Sequence, residues 1–278
     1  MQEFELSVNG LKVKAAYDSA TIDGALIPLV KRWSNLARGL GRRMIVFMAG
    51  APGTGKSCCA QTLEELSLSV EGALPLTAVS LDGFHYPNSY LRSNVADVDG
   101  REVRLSDIKG APETFDLNAF RAKLIELKRG KRVLMPAYSR KTHEVEENAI
   151  AVDTRIVLIE GNYLLLDERG WRGLCAYCND SVFIEATPSE LEARLVERKV
   201  EGGMKKAEAE AFYAKRQEKR RARSGAPCPL CRYARAVRHQ PSHQEDSTFK
   251  PRGPAPLVEN TSQQERRPEA CFRPSFIF

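Results

Sequence analysis

Eight residues, Gly50 to Ser57, read G-A-P-G-T-G-K-S and follow the apolar run Met44 to Met48. Gly, four residues, then Gly-Lys-Ser after a strand is the phosphate-binding loop. Gly50, Ala51, Pro52, Gly53, Thr54 and Gly55 form the loop, whose backbone N–H groups cradle phosphate oxygens. Lys56 supplies a positive charge to the β- and γ-phosphates, and Ser57 a hydroxyl to Mg²⁺. Cys58 follows on the helix whose positive end faces the same anion. ATP and Mg²⁺ are the expected cofactors.

Two carboxylates fall where a phosphate-loop site needs them. S-L-D-G-F-H-Y-P-N begins at Ser80, and Asp82 ends the β-rich run Leu76 to Leu81. A carboxylate at the carboxyl end of such a strand can orient an attacking hydroxyl and take its proton. Gly83 lets the chain turn away; Phe84, His85 and Tyr86 are expected to line an acceptor pocket, with His85 alternatively only filling the turn. Glu160 ends the apolar run Arg155 to Ile159. It can serve Mg²⁺ directly or through water, pair with Lys56, or orient the acceptor. Lys109 in K-G-A-P-E-T-F-D, and Tyr138, Arg140 and His143 in P-A-Y-S-R-K-T-H, are acceptor-side candidates; the alternative is plain polar loop. Arg194 and Arg198 lie on a helix leading to Gly202-Gly203, where positive groups can close over transferring phosphate. The alternative there is a solvated helical face.

These residues need a sheet with helices on both faces. Phe4 to Lys14 suggests a short edge hairpin around Asn9-Gly10. Ile22 to Leu40 has helical spacing, with Leu26, Leu29, Val30, Trp33 and Leu36 as its apolar stripe and Pro28 in its first turn. Arg42-Arg43 reads as a solvated approach to the first core strand. The loop helix spans about Lys56 to Ser69. Asn88 to Leu105 lacks a sustained helical period. Asp116 is placed to cap a helix from Leu117 to Lys128. Arg132 to Met135 and Ser181 to Glu185 are strand-like. Helices are expected over Glu190 to Lys199 and Lys205 to Arg216.

Composition bounds the rest. The chain has 278 residues, 42 % of them hydrophobic, which suits one α/β domain of about 200 residues plus extra material. No apolar stretch reaches the ~20 residues of a membrane span, and the N-terminus lacks a secretory pattern. The seven cysteines, an odd number, give no disulfide framework, so a reducing, cytoplasmic setting is expected. The pairs Cys175/Cys178 and Cys228/Cys231 are read as unrelated thiols rather than a zinc site. From Lys215 to Arg238 there are nine Lys and Arg residues and one Glu, which supplies much of the net charge of +6. Pro, Ser and Gln follow, a composition that predicts disorder. Nucleic-acid and membrane partners are not expected. The expected organisation is an N-terminal elaboration over 1–42, a phosphate-loop kinase domain over 43–216 and a tail over 217–278.

The pieces GAPGTGKS, LDGFHYPN, KGAPETFD, PAYSRKTH and IEGNYLL, in that order over about Arg43 to Tyr213, resemble the phosphoribulokinase and uridine kinase superfamily. They are especially similar to bacterial pantothenate kinase of the first type and the uncharacterised small-molecule kinases near it. The resemblance implies a three-layer α/β sandwich with a mostly parallel sheet, and ATP-Mg²⁺-dependent phosphorylation of a small-molecule hydroxyl by a monomer or homodimer. It matches Asp82 to the acceptor-activating aspartate and Glu160 to the acidic residue of the second motif strand. It puts Arg194 or Arg198 in the lid, and Tyr138 and His143 near an acceptor-side tyrosine and histidine. The acceptor that the resemblance implies is a sugar, a nucleoside or a pantothenate-like molecule. A phosphate-loop ATPase, a switch or assembly protein, and an impaired nucleotide-binding remnant are the competing readings. No guanine-reading N-K-x-D follows, which argues against a GTPase. After Tyr213 the family's Asn-containing motif and closing strand give way to the basic segment.

Overall fold

A computed structural model of the chain describes residues 1–168, 170–221 and 234–235. Its centre is a five-stranded parallel sheet built from β3 (Met44–Gly50), β4 (Leu76–Ser80), β9 (Ile156–Gly161), β10 (Asp180–Ile184) and the two-residue β11 (Ala234–Arg235). The spatial order is β11-β10-β3-β9-β4. Every residue of β3 and β9 is buried. This is why both read as continuous apolar runs, as strands covered on both faces must.

Side chains of β3 alternate between two cores. Met44, Val46 and Met48 pack with Trp33, Leu63 and Leu66 beneath α2 (Ile27–Gly39) and α3 (Lys56–Ser69). Ile45, Phe47 and Ala49 face Phe120, Leu124 and Trp171 beneath α5 (Leu117–Lys128). Helix, sheet and helix make three layers. A single turn, α1 (Ser19–Thr21), and a π-helical turn over Ile22–Leu26 lead into α2.

Among the described residues three antiparallel hairpins stand outside the sheet. β1 (Gln2–Val8) and β2 (Leu11–Tyr17) pair across Asn9 and Gly10, whose φ values of 51° and 79° are what a two-residue turn requires. The pair is a ribbon of its own against α3, not an edge of the central sheet. After α4 (Asn88–Ser93) come β5 (Val95–Val98) and β6 (Arg101–Arg104). The third hairpin joins β7 (Val133–Ser139) to β8 (Glu144–Val152). Two helices, α6 (Pro188–Glu201) and α7 (Lys206–Arg221), close the described chain before β11.

Besides the edge hairpin, three expectations need correcting. Leu36 is exposed, and the buried stripe of α2 runs through Val30, Trp33, Ser34 and Ala37. The run Arg132 to Met135 does not end a strand: β7 continues through Tyr138 to Ser139, so Tyr138 lies in a strand and Arg140 and His143 in its hairpin turn. Arg43 is not solvated but 3 % exposed. Its guanidinium donates to the carbonyls of Thr154 (2.8 Å), Lys131 (2.8 Å), Leu127 (3.3 Å) and Val152 (3.4 Å). It ties the end of α5, β8 and the approach to β9 together, because one planar guanidinium donates to carbonyls of all three. Residues 222–233 and 236–278, where tail disorder and the Cys228/Cys231 pair were expected, lie outside the described residues.

Candidate active site

The site forms where β3, β4 and β9 end, at the carboxyl edge expected for a ligand crevice. Gly53 and Gly55 adopt φ of 90° and 86°, which a side chain would strain. Gly50 admits no side chain for another reason: a Cβ there would stand 2.5 Å from the carbonyl oxygen of Ile184 in β10. The loop closes on itself through Thr54 Oγ1, which donates to Ala51 O at 2.9 Å. Lys56 is 6 % exposed, and its Nζ donates to the same carbonyl at 2.9 Å. Ser57 Oγ donates to Glu160 Oε1 at 3.0 Å. A hydroxyl and a carboxylate thus stand side by side at the start of α3, the donor set that suits a hard divalent cation. Among the described residues no group of three His, Cys, Asp or Glu side chains is placed to hold a metal unaided. Cys58 sits half-buried in the first turn of α3; burial raises its thiol pKa, and Arg140 opposes this.

Asp82 stands on the 3₁₀ turn Leu81–Phe84 that ends β4. Ser80 caps that turn by accepting from the Asp82 N–H at 3.3 Å. Gly83 is forced by packing, since a Cβ would lie 2.4 Å from Pro136 O. Phe84 is buried in the core against Phe120 and does not line a pocket. Asp82 keeps about a third of its side chain open (34 %). Its pKa is raised by desolvation and pulled back by the charges of Lys56, Arg140 and Arg198. Glu160, 5 % exposed, is also raised, by burial first and by Asp82's charge second. Lys56 and hydrogen bonds from Ser80 and Ser57 offset part of that rise. Two carboxylates therefore share one cationic side chain in a poorly solvated crevice, the kind of environment that keeps a carboxylate basic.

The other predicted residues fall into three places. Arg194 donates to Gly53 O at 3.3 Å and lies 3.7 Å from Glu190, which seats α6 on the phosphate loop. Leu195 packs on Gly53 itself, where a Cβ would come within 3.1 Å. Arg198, one turn on, is exposed and its charge reaches Asp82. The second place gathers the residues expected on the acceptor side. Lys109 Nζ donates to Asn88 Oδ1 (2.6 Å) and His143 O (3.2 Å) and lies 5.2 Å from the Tyr138 ring centroid. His85 stacks on Phe115 at 3.8 Å between centroids and meets the edge of Tyr138 at 6.0 Å. His143 takes a positive φ of 56° in the turn, so its carbonyl is what Lys109 meets. Tyr86 is elsewhere: it stacks on Tyr90 and lines a cavity of about 330 Å³ with Glu113, Phe115, Arg121 and Trp171.

Residue-type reasoning passed over Ser80, Thr114 and Asn88. Ser80 carried a signal, a hydroxyl two residues before a turn-forming Asp. Thr114 and Asn88 act through main-chain and amide contacts that leave no pattern in the chain.

The model of the phosphoribulokinase/uridine kinase family matches residues 45–206, more than half of the chain. The protein belongs to that family. The uncharacterised protein YggC of Escherichia coli (strain K12) is 37 % identical over 214 residues, covering 77 % of this chain and 86 % of that one. A pantothenate kinase of Shouchella clausii is 28 % identical over 55 % of this chain, but the match spans only 48 % of that enzyme. A crystal structure from Silicibacter sp. TM1040, of a protein provisionally assigned as a fructose transport system kinase, shares 37 % identity and a TM-score of 0.58. That match covers 67 % of this chain and 87 % of the other. The family kinase fold is therefore present: a parallel sheet flanked by helices, with the phosphate loop after β3. No helix among the described residues is long and apolar enough to cross a membrane.

Proposed function

We propose that this family member is an ATP-dependent phosphotransferase acting on a hydroxyl of a small molecule: a sugar, a nucleoside or a pantothenate-like acceptor. The observation that carries the reading is Asp82, a part-open carboxylate beyond β4 whose charge is felt by Lys56 of the phosphate loop and by Arg140 and Arg198. The stretch D-G-F-H-Y-P that carries Asp82 has no obvious use in a switch or assembly ATPase, which needs no acceptor pocket. The names of the Silicibacter and Shouchella relatives support a sugar or pantothenate-like acceptor.

In this reading the loop amides and Lys56 bind the phosphates of ATP. Ser57 and Glu160 would hold Mg²⁺, which when bound screens the charge between β- and γ-phosphates. Asp82 orients the acceptor hydroxyl and takes its proton while the new oxygen–phosphorus bond forms and the β–γ bridge breaks, leaving ADP. Arg194 holds α6 on the loop, so that Arg198 offsets charge near the transferring group. Lys109, Tyr138, Arg140 and His143 bound the acceptor side. Lys56→Ala tests the first half: calorimetry should show ATP-Mg²⁺ affinity falling at least about tenfold, as expected for loss of a charge-assisted contact. Unchanged affinity refutes the loop assignment.

A further inference from the structure

His85 is held by what surrounds it. Its Nδ1 lies 3.2 Å from the carbonyl oxygen of Thr114 and 3.3 Å from Thr114 Oγ1. The carbonyl can only accept. The Thr114 hydroxyl hydrogen is already committed to Ala111 O at 2.7 Å, while Oγ1 accepts from Gly110 N–H at 3.1 Å. Both neighbours therefore require a proton on Nδ1, and the neutral ring carries a bare lone pair at Nε2. Burial and the charge of Lys109 keep the ring neutral by lowering its pKa to about 4, against the opposing Thr114 hydrogen bond. Stacking on Phe115 and the edge of Tyr138 leave the ring little room to turn.

That lone pair lies 3.9 Å from Asp82 Oδ1. An ionised carboxylate and an unprotonated nitrogen have no hydrogen to share, so the contact contributes nothing while Asp82 is charged. It becomes a hydrogen bond once Asp82 carries a proton and its part-open side chain turns inward. We infer that His85 is a positioning residue for phosphoryl transfer: its Nε2 accepts a hydrogen bond from Asp82 after Asp82 has taken the acceptor's proton. The proton stays on Asp82, and His85 stabilises the protonated carboxyl and turns its O–H away from the departing product. Thr114, through Nδ1, fixes the tautomer that makes this possible. The inference rests on Asp82 being the proton acceptor, and it assigns His85 a role through Asp82 rather than on the substrate.

The test needs neither nucleotide nor acceptor, so its failure is separate from failure of the kinase reading. The full chain is labelled with ¹⁵N-histidine, and the His85 ring nitrogens are observed above neutral pH in wild type, Asp82→Asn and Asp82→Ala. The asparagine amide puts an N–H where the protonated carboxyl would carry its O–H; alanine puts nothing there. The wild-type ring should show the proton on Nδ1. The Nε2 resonance should move upfield in Asp82→Asn, as an acceptor nitrogen does on gaining a hydrogen bond, and stay at its wild-type position in Asp82→Ala. A proton on Nε2 in the wild type overturns the inference without any variant. So does an Nε2 resonance at one position in the asparagine and alanine variants.

Discussion

Replacing His85 by Phe should make the protein more resistant to acid. The structure holds the imidazole neutral, with a pKa of about 4 against an ordinary 6.5, through burial first and the charge of Lys109 second. A lowered histidine pKa means the unfolded chain takes up its proton first as pH falls. The stabilising contribution is therefore complete above pH ~6.5 and is lost on descent through pH ~4. At 1.36 kcal/mol per pKa unit the full loss is about 3 kcal/mol, and about 2.5 kcal/mol of it has gone by pH ~4.5. The side chain is 8 % exposed, so solvent screening removes little of this. Phe keeps the stacking on Phe115 and has nothing to protonate. Asp82 and Glu160 shift in the opposite sense, but both proteins carry them, and a difference between wild type and variant largely removes them. Urea denaturation of each at about pH 7.5 and about pH 4.5 gives that difference; wild type should lose about 2.5 kcal/mol more than His85→Phe. A loss equal in the two proteins to within about 0.5 kcal/mol, the scale of additivity errors, refutes the argument that the ring is held neutral.

Other expectations follow from single contacts. The raised pKa of Glu160 means that its protonated form fits the fold, a contribution fully present below the unfolded carboxylate pKa and lost as pH rises through the folded one. Glu160→Gln should therefore unfold at higher urea than wild type at neutral pH, an advantage that fades by about pH 4. Arg43→Met removes a donor from four carbonyls, of which Leu127 O keeps the Gly130 N–H, and should cost about 3 kcal/mol by chemical denaturation, with the nucleotide affinity of the folded fraction unchanged. Gly83→Ala drives a Cβ to 2.4 Å from the Pro136 carbonyl, so either β4's turn or β7 must shift, and a loss of about 1–3 kcal/mol should appear as a lower melting temperature.

What could be read from the chain was what is fixed locally. The phosphate loop has its spacing written out, and α3 begins at Lys56 as expected. Asp116 caps α5 by accepting from the N–H groups of Asn118 and Ala119, a contact within three residues. β3 and β9 announce themselves because both faces are covered. Long-range satisfaction was not legible. Arg43 finds its acceptors 84 to 111 residues away, so nothing beside it distinguishes it from the exposed Arg42. The length of β7 was masked by Pro136, which normally ends a strand; here it sits at a register shift between Met135 and Ala137, where a missing N–H is tolerated. Leu36 has the right spacing for the α2 stripe, but Ser34 takes a place in the core by donating to Val30 O and accepting from Leu74 N–H. The acceptor-side cluster was seen as residues but not as a set, since Asn88, Lys109 and His143 O meet only through the turn between β7 and β8.

In the proposed reaction the crevice moves phosphate from ATP to a hydroxyl with Asp82 as the proton acceptor. The direct measurement is product formation with ATP-Mg²⁺ and a panel of pantothenate, fructose and related sugars, uridine and other nucleosides, following ADP and phosphomonoester together. At least one acceptor should yield the two products in equal amounts. Asp82→Asn should lower that rate by about 10² to 10⁴, the range for a positioned acid or base, while ATP affinity holds. An acceptor phosphorylated by wild type and Asp82→Asn at the same rate, or ADP released at one rate with and without every acceptor, contradicts it.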